Sequence, residues 1–348
     1  MSPSPAPMNP ELPLISIIMP AYNEEASLPR LFARVGAVAD QLKASYEFEL
    51  ILLDNCSNDR TREIARAHCG VDVRWKYLRY SRNFGAEASL LAGLDVARGE
   101  AVINLFSDLQ DPPELIPQML EIWRQGAGVV SGIVRERNDS SYLKTLGAKL
   151  AYKLIYLLAE CKIPENATDF RLMDRSVVNV LRQLREPDRY MRGLVHWVGF
   201  RQEHLLYDRA KRETGSSSAN LIYCIKFALH AIVCFSSKPM HLAMLFGVFL
   251  TSTSGLLGLF YLGVHWLKPS FLNAPPAGVT TVILLILFIL GFNSLFLGII
   301  GEYVGRIYNQ GKHRPLYIIA EQFNLPVAHR LSARDTDPSV SPFNSQPR

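Results

Sequence analysis

The chain has 348 residues, with 37 Lys and Arg against 32 Asp and Glu, and five cysteines. This length allows one large domain or two ordinary ones with a sizeable core. The net charge of +5 comes without a basic stripe interleaved with aromatic residues, so it indicates an anionic membrane surface or a phosphorylated substrate more than nucleic acid. The cysteines form no CxxC pair, and we expect neither a disulfide nor a zinc site.

The N-terminal part of the chain alternates short apolar runs with amphipathic stretches. This alternation predicts an α/β domain with a mostly parallel sheet and helices on both faces. The predicted strands are Leu14–Met19, Glu49–Asp54, Trp75–Ser81, Ala101–Phe106 and Val129–Val134, and the predicted helices are Glu24–Leu42, Asn58–His68, Ala86–Ala97 and Pro113–Gln125.

The alternation stops after Arg135. Ser141–Glu160 and Arg175–Leu184 have helical periodicity, and a polar stretch, Thr168–Arg171, lies between them. Asn220–Phe235 is amphipathic and directly precedes a long apolar block, so we expect it to rest in the plane of a membrane interface.

The apolar block runs from Pro239 to Gly301, and its only charged residue is Lys268. Met240–Leu267 and Ala274–Gly301 each lack Asp, Glu, Lys and Arg. Because a helix rises about 1.5 Å per residue and the hydrocarbon core is about 30 Å thick, either run is long enough to cross a bilayer. The alternative, two buried helices of a soluble fold, seldom needs apolar runs of this length. The sequence therefore predicts two transmembrane helices.

Basic residues flank the block on both sides, which predicts that both termini and the domain before the block are cytoplasmic. Met1–Pro13 lacks a basic segment followed by an apolar one, so no cleavable signal is predicted. The expected organisation is a disordered N-terminus at 1–13, a cytoplasmic domain at 14–218, a juxtamembrane helix at 219–238, the two-helix region at 239–301 and a cytoplasmic tail at 302–348, disordered towards its end.

Polar residues follow three of the predicted strands, at the edge where ligands bind in such sheets. Asp108 and Asp111 form an acidic turn after the fourth strand, and oxygen ligands on a tight loop suit Mg²⁺ or Mn²⁺ bridging a diphosphate. A solvated turn or a helix cap is the alternative. Asp54 ends the second strand, where its carboxylate is placed to accept from a base or a ribose, although the residues after it are also typical helix caps. Tyr22 is either a base-stacking residue or a core aromatic.

The polar segments together resemble the inverting glycosyltransferases of family 2, which have a GT-A fold. More narrowly, the chain resembles the polyisoprenyl-phosphate glycosyltransferases, and among these the bactoprenol (undecaprenyl-phosphate) glucosyltransferases. The matching segments run from about Leu14 to Ile319 and are Ile18–Glu24, Leu52–Thr61, Ser81–Gly85, Asp108–Glu114, Asp169–Met173, Arg192–Val195, Trp197–Phe200, Tyr207–Gly215 and Gly301–Tyr308.

The resemblance implies a role for particular residues. Asp108 and Gln110 correspond to the metal-binding residues, and Pro20, Tyr22, Glu24 and Asp54 to the nucleotide pocket. The chain departs from the family pattern in two places: Phe106 and Asn55 stand where the family often has acidic residues. The first departure bears on the metal ligands and the second on the identity of the base.

Asp169 matches the catalytic position of the family, where it takes a proton from the acceptor or aligns it; a structural ion pair with Arg171 is the alternative. Arg135 and Lys144 resemble the residues that bind the acceptor phosphate, while Arg137 beside them fits a surface charge equally well. Arg171 is also predicted to bind the acceptor or the diphosphate. Arg209 and Arg212 are predicted to close over the diphosphate, with attraction to the membrane surface as the alternative.

The resemblance implies an enzyme that transfers a hexose, glucose in the leading hypothesis, from UDP-glucose to polyprenyl phosphate with inversion. The alternatives are another donor, such as GDP-mannose or an amino-sugar nucleotide, and a non-catalytic membrane scaffold on this fold. A processive synthase is disfavoured, because the QxxRW motif is missing after the acidic turn. Glycines in the first apolar run permit a homo-oligomer without requiring one.

Overall fold

The structure is a computed structural model, and it describes residues 12–135, 164, 166–187, 189–209, 245–249, 252–253, 256 and 279–325. The chain divides into two compact units. The first consists of Met1–Ser140, Ile163–Ser218 and Arg314–Arg348, and the second of Ser141–Lys162 and Ala219–His313.

The first unit begins with alternating strands and helices, as predicted. All five predicted strands are confirmed, and the helices differ from their predicted bounds by a few residues at the ends. The elements are β1 Leu14–Ala21, α1 Leu28–Leu42, β2 Glu47–Asp54, α2 Thr61–Val71, β3 Trp75–Tyr80, α3 Ala86–Val96, β4 Ala101–Asn104, a 3₁₀ turn Pro113–Leu115, α4 Ile116–Arg124 and β5 Val129–Val134.

The rest of this unit contains one helix that the sequence predicted and four elements that it did not. The predicted helix is α5, Arg175–Gln183, and the side chain of Asp174 caps it by accepting the Ser176 N–H. The additional elements are β6 Ala167–Asp174, α6 Met191–Trp197, β7 Gln202–Tyr207 and β8 Ile319–Phe323.

The eight strands form one sheet in the order β7-β5-β6-β4-β1-β2-β3-β8. Strands β4, β1, β2 and β3 run parallel to one another, and β5 runs parallel to β7. Strands β6 and β8 are antiparallel to their neighbours. The prediction of an α/β fold with a mostly parallel sheet is confirmed.

The central strands are buried because both of their faces are covered. In β1 every residue after Leu14 is buried, which explains why its sequence is continuously apolar rather than alternating. Helix α1 packs on one face through residues spaced three and four apart, including Leu28, Leu31 and Val35. Helices α3 and α5 contact each other and lie over the central strands.

Strand β8 belongs to the first unit, although it lies beyond the boundary expected at residue 218. It pairs antiparallel with β3, and Glu321 forms ion pairs with Arg62 and Arg66 of α2. Tyr317, just before β8, donates a hydrogen bond to the buried carboxylate of Asp95 at 2.7 Å. The sheet thus takes its last strand from sequence that follows the apolar block.

The second unit contains helix α7, Val279–Gly311. Within the described ranges, no helix is long and apolar enough to cross a membrane. The two predicted spans are therefore unsupported by the structure. The predicted helices Ser141–Glu160 and Asn220–Phe235 and most of the run Met240–Leu267 lie outside the described residues, as do 1–11 and 326–348.

Candidate active site

The parallel strands bring the polar loops to one edge of the sheet. The loops after β1 and β2 are joined by hydrogen bonds from the Asn23 N–H to Ser57 Oγ and from the Glu24 N–H to Thr61 Oγ1, both at 2.9 Å. Ser107, after β4, donates to the carbonyl of Pro20 at 2.7 Å. Neutral hydrogen bonds therefore fix the positions of these three loops relative to one another.

Three of the residues predicted to bind the nucleotide lie at the end of β1 and in the loop that follows it. Tyr22 is 44% exposed, which excludes the alternative of a core aromatic. Glu24 is partly buried and accepts a hydrogen bond from Ser27 Oγ at 2.5 Å. Pro20 is buried, so its contribution is to the backbone of the loop.

Asp54 is fully buried, and both of its oxygens have donors. Oδ1 accepts the Ser57 N–H at 2.8 Å and Oδ2 accepts the Tyr77 hydroxyl at 2.6 Å, with Arg79 Nε 3.4 Å away. The neighbouring Asn55 accepts the Phe84 N–H through Oδ1. In this arrangement Asp54 shapes the loop Cys56–Arg60, and the nucleotide-binding role remains a prediction.

The acidic turn after β4 places its two carboxylates differently. Asp108 is partly exposed and accepts the Gln110 N–H at 3.2 Å, with Leu109 between them in the left-handed region at φ 55°. Asp111 is fully buried; it accepts the hydroxyl of Tyr207 and forms an ion pair with Arg209 at 3.0 Å. Burial raises the pKa of Asp111 above its usual value, although Arg209 and Tyr207 act against this rise.

The donor set of the turn fits a divalent cation only in part. Asp108 and Gln110 offer carboxylate and amide oxygens, whereas Asp111 is already held by Tyr207 and Arg209. Across the described part of the chain, no three His, Cys, Asp or Glu side chains are grouped as a metal site. A Mg²⁺-type ion needs only one or two carboxylates when phosphates and water complete its octahedron, so the turn suits a cation that arrives with a diphosphate.

Asp169, near the start of β6, is held by two arginines. Arg192 of α6 donates from Nε to both carboxylate oxygens at 3.0 Å and from Nη2 to Oδ2 at 2.6 Å, and Arg171 Nη2 donates to Oδ1 at 3.3 Å. Burial alone would raise the pKa of Asp169, but Arg192 and then Arg171 outweigh it and hold the pKa below its usual value. The carboxylate is therefore ionised at neutral pH.

Arg171 lies behind Asp169 rather than at the surface. Its side chain is 1% exposed, and only Nη2 has acceptors, the Thr168 carbonyl and Asp169. Burial lowers the pKa of this guanidinium. The predicted contact of Arg171 with the acceptor or the diphosphate is not supported by this buried position, in which Arg171 pairs with Asp169.

A row of polar residues crosses the sheet beside Arg171. Asn104 of β4 and Ser131 of β5 both pair with Arg171 in register. Asn104 Oδ1, Ser131 Oγ and two nitrogens of Arg171 are buried without a protein partner, as is Nε2 of His196 on α6. Burial, followed by Arg171, lowers the pKa of His196 to about 4, so this imidazole is neutral near pH 7.

The remaining predicted cations lie in different surroundings. Arg209, 24% exposed, is fixed beside the acidic turn by Asp111. Arg135, directly after β5, is 62% exposed and lies 3.7 Å from Asp208. Lys144 and Arg212, like Arg137, fall outside the described residues.

Sequence reasoning did not assign a role to two residues that contact the site. Arg192 belongs to a segment that carried the family resemblance, and its pairing with Asp169 depends on α6, which was not predicted. Glu87, in the first turn of α3, accepts the N–H of Met191 at 2.9 Å. An acidic residue in a first turn is an ordinary feature of helices, so no signal in the sequence distinguished it.

Known proteins are similar to this chain in sequence, and solved structures are similar to it at low TM-scores. The model of the family described as "Glycosyl transferase family 2" matches residues 16–182, a range that includes Asp54, Asp108 and Asp169. A crystal structure of glucosyl-3-phosphoglycerate synthase from Mycobacterium tuberculosis with Mn²⁺, UDP-glucose and phosphoglyceric acid is similar with a TM-score of 0.41 and 19% identity, covering 63% of this chain and 77% of that one.

Proteins with higher identity match nearly the whole chain. An uncharacterized glycosyltransferase of Synechocystis is 41% identical over 311 residues, 89% of this chain and 96% of its own length. A bactoprenol glucosyl transferase of Shigella phage SfV is 37% identical over 308 residues, 88% of this chain and 98% of its own length. A prophage bactoprenol glucosyl transferase homolog of Escherichia coli is 35% identical over 305 residues, 88% and 98% of the two chains. The chain therefore belongs to glycosyl transferase family 2.

Proposed function

We propose that the protein transfers glucose from UDP-glucose to a polyprenyl phosphate with inversion at the anomeric carbon, giving a lipid-linked sugar for modification of a cell-surface glycan. One observation carries this proposal. The ionised Asp169, which is hydrogen-bonded to Arg192, lies at the same edge of the sheet as the loops of Asp54 and Asp108. The relatives named as bactoprenol glucosyl transferases support this choice of sugar and acceptor.

The reaction joins the acceptor phosphate to the sugar and releases a nucleoside diphosphate. An oxygen of the acceptor phosphate forms the new bond to C1 as the bond from C1 to the diphosphate oxygen breaks, and its electron pair leaves with the diphosphate. Since the second pKa of a phosphate monoester is about 6, the acceptor is already largely dianionic near pH 7. A strong general base is unnecessary, which agrees with the lowered pKa of Asp169.

Asp169 then acts as a fixed anion rather than as a proton acceptor. Its negative charge stabilises the positive charge that develops at C1, and its contacts with Arg192 keep it in place. Arg192 is 30% exposed, so the same guanidinium can also face the acceptor phosphate. Arg209 contributes a further cation close to the acidic turn.

Asp108 and Gln110 would hold Mg²⁺ or Mn²⁺ through their side-chain oxygens. Asp111 would not be a ligand, because it is buried and already bonded to Tyr207. The cation, when bound, screens the charge of the leaving diphosphate. Tyr22 would stack on the base, since it is exposed next to the loop that Asp54 orders.

The acceptor is a membrane lipid, so the enzyme has to work at a bilayer surface. We propose a cytoplasmic domain attached to the inner membrane by the nearly uncharged segment 239–301. Exposed apolar side chains on α7, among them Leu285, Ile289 and Leu297, support a lipid-facing role for this segment.

The test is transfer of labelled sugar by the full-length protein in detergent or membranes. UDP-[¹⁴C]glucose, undecaprenyl phosphate and Mg²⁺ should give a labelled product that partitions into organic solvent, and a chelator should abolish it. Asp108→Ala should remove this turnover while the melting temperature stays the same. Asp40→Ala, which changes an exposed carboxylate on α1, is the matched control and should have no effect. Absence of labelled lipid with UDP-glucose, GDP-mannose and amino-sugar nucleotides alike would rule out the proposal.

A further inference from the structure

We propose that Glu87 is a positioning residue for the Asp169–Arg192 pair, acting through the first residue of helix α6. It has no role in the reaction as derived above, and its side chain reaches α6 from another element of the fold. This inference rests on the proposed function, because the pair that Glu87 would position belongs to the sugar-transfer site.

The geometry connects Glu87 to Arg192 in two short steps. Glu87 Oε2 accepts the backbone N–H of Met191 at 2.9 Å, across 104 positions of sequence. Met191 is the first residue of α6, and the next residue, Arg192, makes the three short contacts to Asp169. Glu87 therefore fixes the backbone one residue away from the guanidinium.

The start of α6 is held by the burial of the Met191 side chain, which is 2% exposed, and by the contact of Glu87 with the Met191 N–H. The first N–H groups of a helix have no partner inside the helix, and the cap residue Tyr190 offers no side-chain bond to them. Leu194 and Val195 are buried and hold the middle of the helix in the core, but apolar packing does not fix the direction of an N–H group. A carboxylate at this position supplies that direction and also interacts favourably with the helix dipole.

Glu87 is surrounded by the charges of the site. Asp169 repels its carboxylate, whereas Arg192, Arg171 and Arg189 attract it. Burial, followed by the repulsion from Asp169, raises the pKa of Glu87 to about 7. The strength of the bond to Met191 should therefore change across the neutral range, because an ionised acceptor binds an N–H more strongly than a neutral one.

A double-mutant cycle separates positioning from a general structural role. The four proteins are the wild type, Glu87→Ala, Arg192→Lys and the double variant, and kcat is measured with UDP-glucose and undecaprenyl phosphate at pH 8. Glu87→Ala should lower kcat about tenfold in the wild-type background, the size expected for loss of one charge-assisted hydrogen bond. In the Arg192→Lys background the same change should lower kcat less than threefold, since both changes act through the same contact.

Two further variants complete the experiment. Glu87→Gln keeps an acceptor of the same size without the charge, so it should stay within about threefold of the wild type at pH 8. The wild type is expected to lose kcat in one step near pH 7, from Glu87, and in a second near pH 6, from the acceptor phosphate; Glu87→Gln should keep only the second step. Glu63→Ala removes another first-turn glutamate, one whose side chain is 75% exposed on α2, and should match the wild type throughout. Equal losses from Glu87→Ala in both backgrounds, or no loss in either, would overturn the inference. Because the wild type must first form labelled lipid, such a result would leave the proposed function intact.

Discussion

Two carboxylates at the same edge of the sheet have different hydrogen-bond donors. Asp54, at the end of β2, accepts from a backbone N–H and a tyrosine hydroxyl, and Arg79 lies 3.4 Å away without a hydrogen bond to it. Asp169, on β6, accepts from the guanidinium groups of Arg192 and Arg171. Bonds to backbone and phenol groups fix the shape of a loop whether or not a ligand is present. Contacts with arginine also balance charge, and that balance changes when a phosphate arrives.

The two halves of the site would therefore bind different groups. On the side of β1, β2 and β3, the loops that would hold the nucleotide are joined by backbone N–H groups that donate to hydroxyl and carboxylate oxygens. On the side of β4, β6 and β7, Asp169 and Asp111 are each paired with arginine, where the acceptor phosphate and the diphosphate would lie. If this division is right, changes on the second side should alter the rate most, and changes on the first side should alter donor affinity and stability.

The largest expected effect is that of Asp169→Asn. The amide keeps the size of the side chain but removes the negative charge next to C1, so kcat should fall on the order of a hundredfold or more. The KM for UDP-glucose should change little, because Asp54 and its loop are untouched. Initial rates over a range of donor concentrations measure both quantities.

Asp72→Asn is the matched control, since Asp72 also pairs with an arginine, Arg74, in the partly exposed turn after α2. Its kcat should equal that of the wild type. A kcat for Asp169→Asn within threefold of the wild type would remove Asp169 from the reacting centre and would break the proposed division of the site.

The parts of this site that the sequence predicted are those set by local pattern. Asp54 is the last residue of β2 and Asp108 lies in the turn after β4, and the parallel order of those apolar strands was enough to place both residues at one edge. Strand β6 was missed because the stretch Thr168–Arg171 reads as a polar loop, although its polar side chains are buried between two strands. The pairing of Asp169 with Arg192 depends on that strand and on α6, which has only seven residues and no side-chain cap.

Charge partners far apart in sequence were likewise beyond prediction. Arg171 was expected at a phosphate, but its burial beside Asn104 and Ser131 follows from the antiparallel insertion of β6 between β4 and β5. Strand β8 was missed because five residues after a long apolar block carry no strand signal strong enough to stand alone; its pairing with β3 determines its structure.

An intermediate effect is expected for Arg209→Ala. The change removes a cation beside the acidic turn and leaves the fully buried Asp111 with only the Tyr207 hydroxyl. The pKa of Asp111 should rise further, and kcat/KM for UDP-glucose should fall about tenfold through loss of one charge-assisted contact. Arg201→Ala is the control, because Arg201 pairs with Glu203 at the exposed start of β7. Equal activity of the two variants would show that Arg209 serves only the membrane surface.

The smallest expected effect is that of Tyr77→Phe on the nucleotide side. The change deletes the hydroxyl that bonds Asp54 Oδ2, and should cost about 1 kcal/mol of unfolding free energy. The loop after β2 should loosen, so KM for UDP-glucose should rise a fewfold while kcat stays the same. Tyr80→Phe on the same strand is the control, because the Tyr80 hydroxyl donates to the Ser89 carbonyl and accepts from Ser89 Oγ and forms no hydrogen bond to Asp54. It should cost similar stability and leave KM unchanged, so a fall in kcat for Tyr77→Phe alone would show that the two halves of the site are not separable.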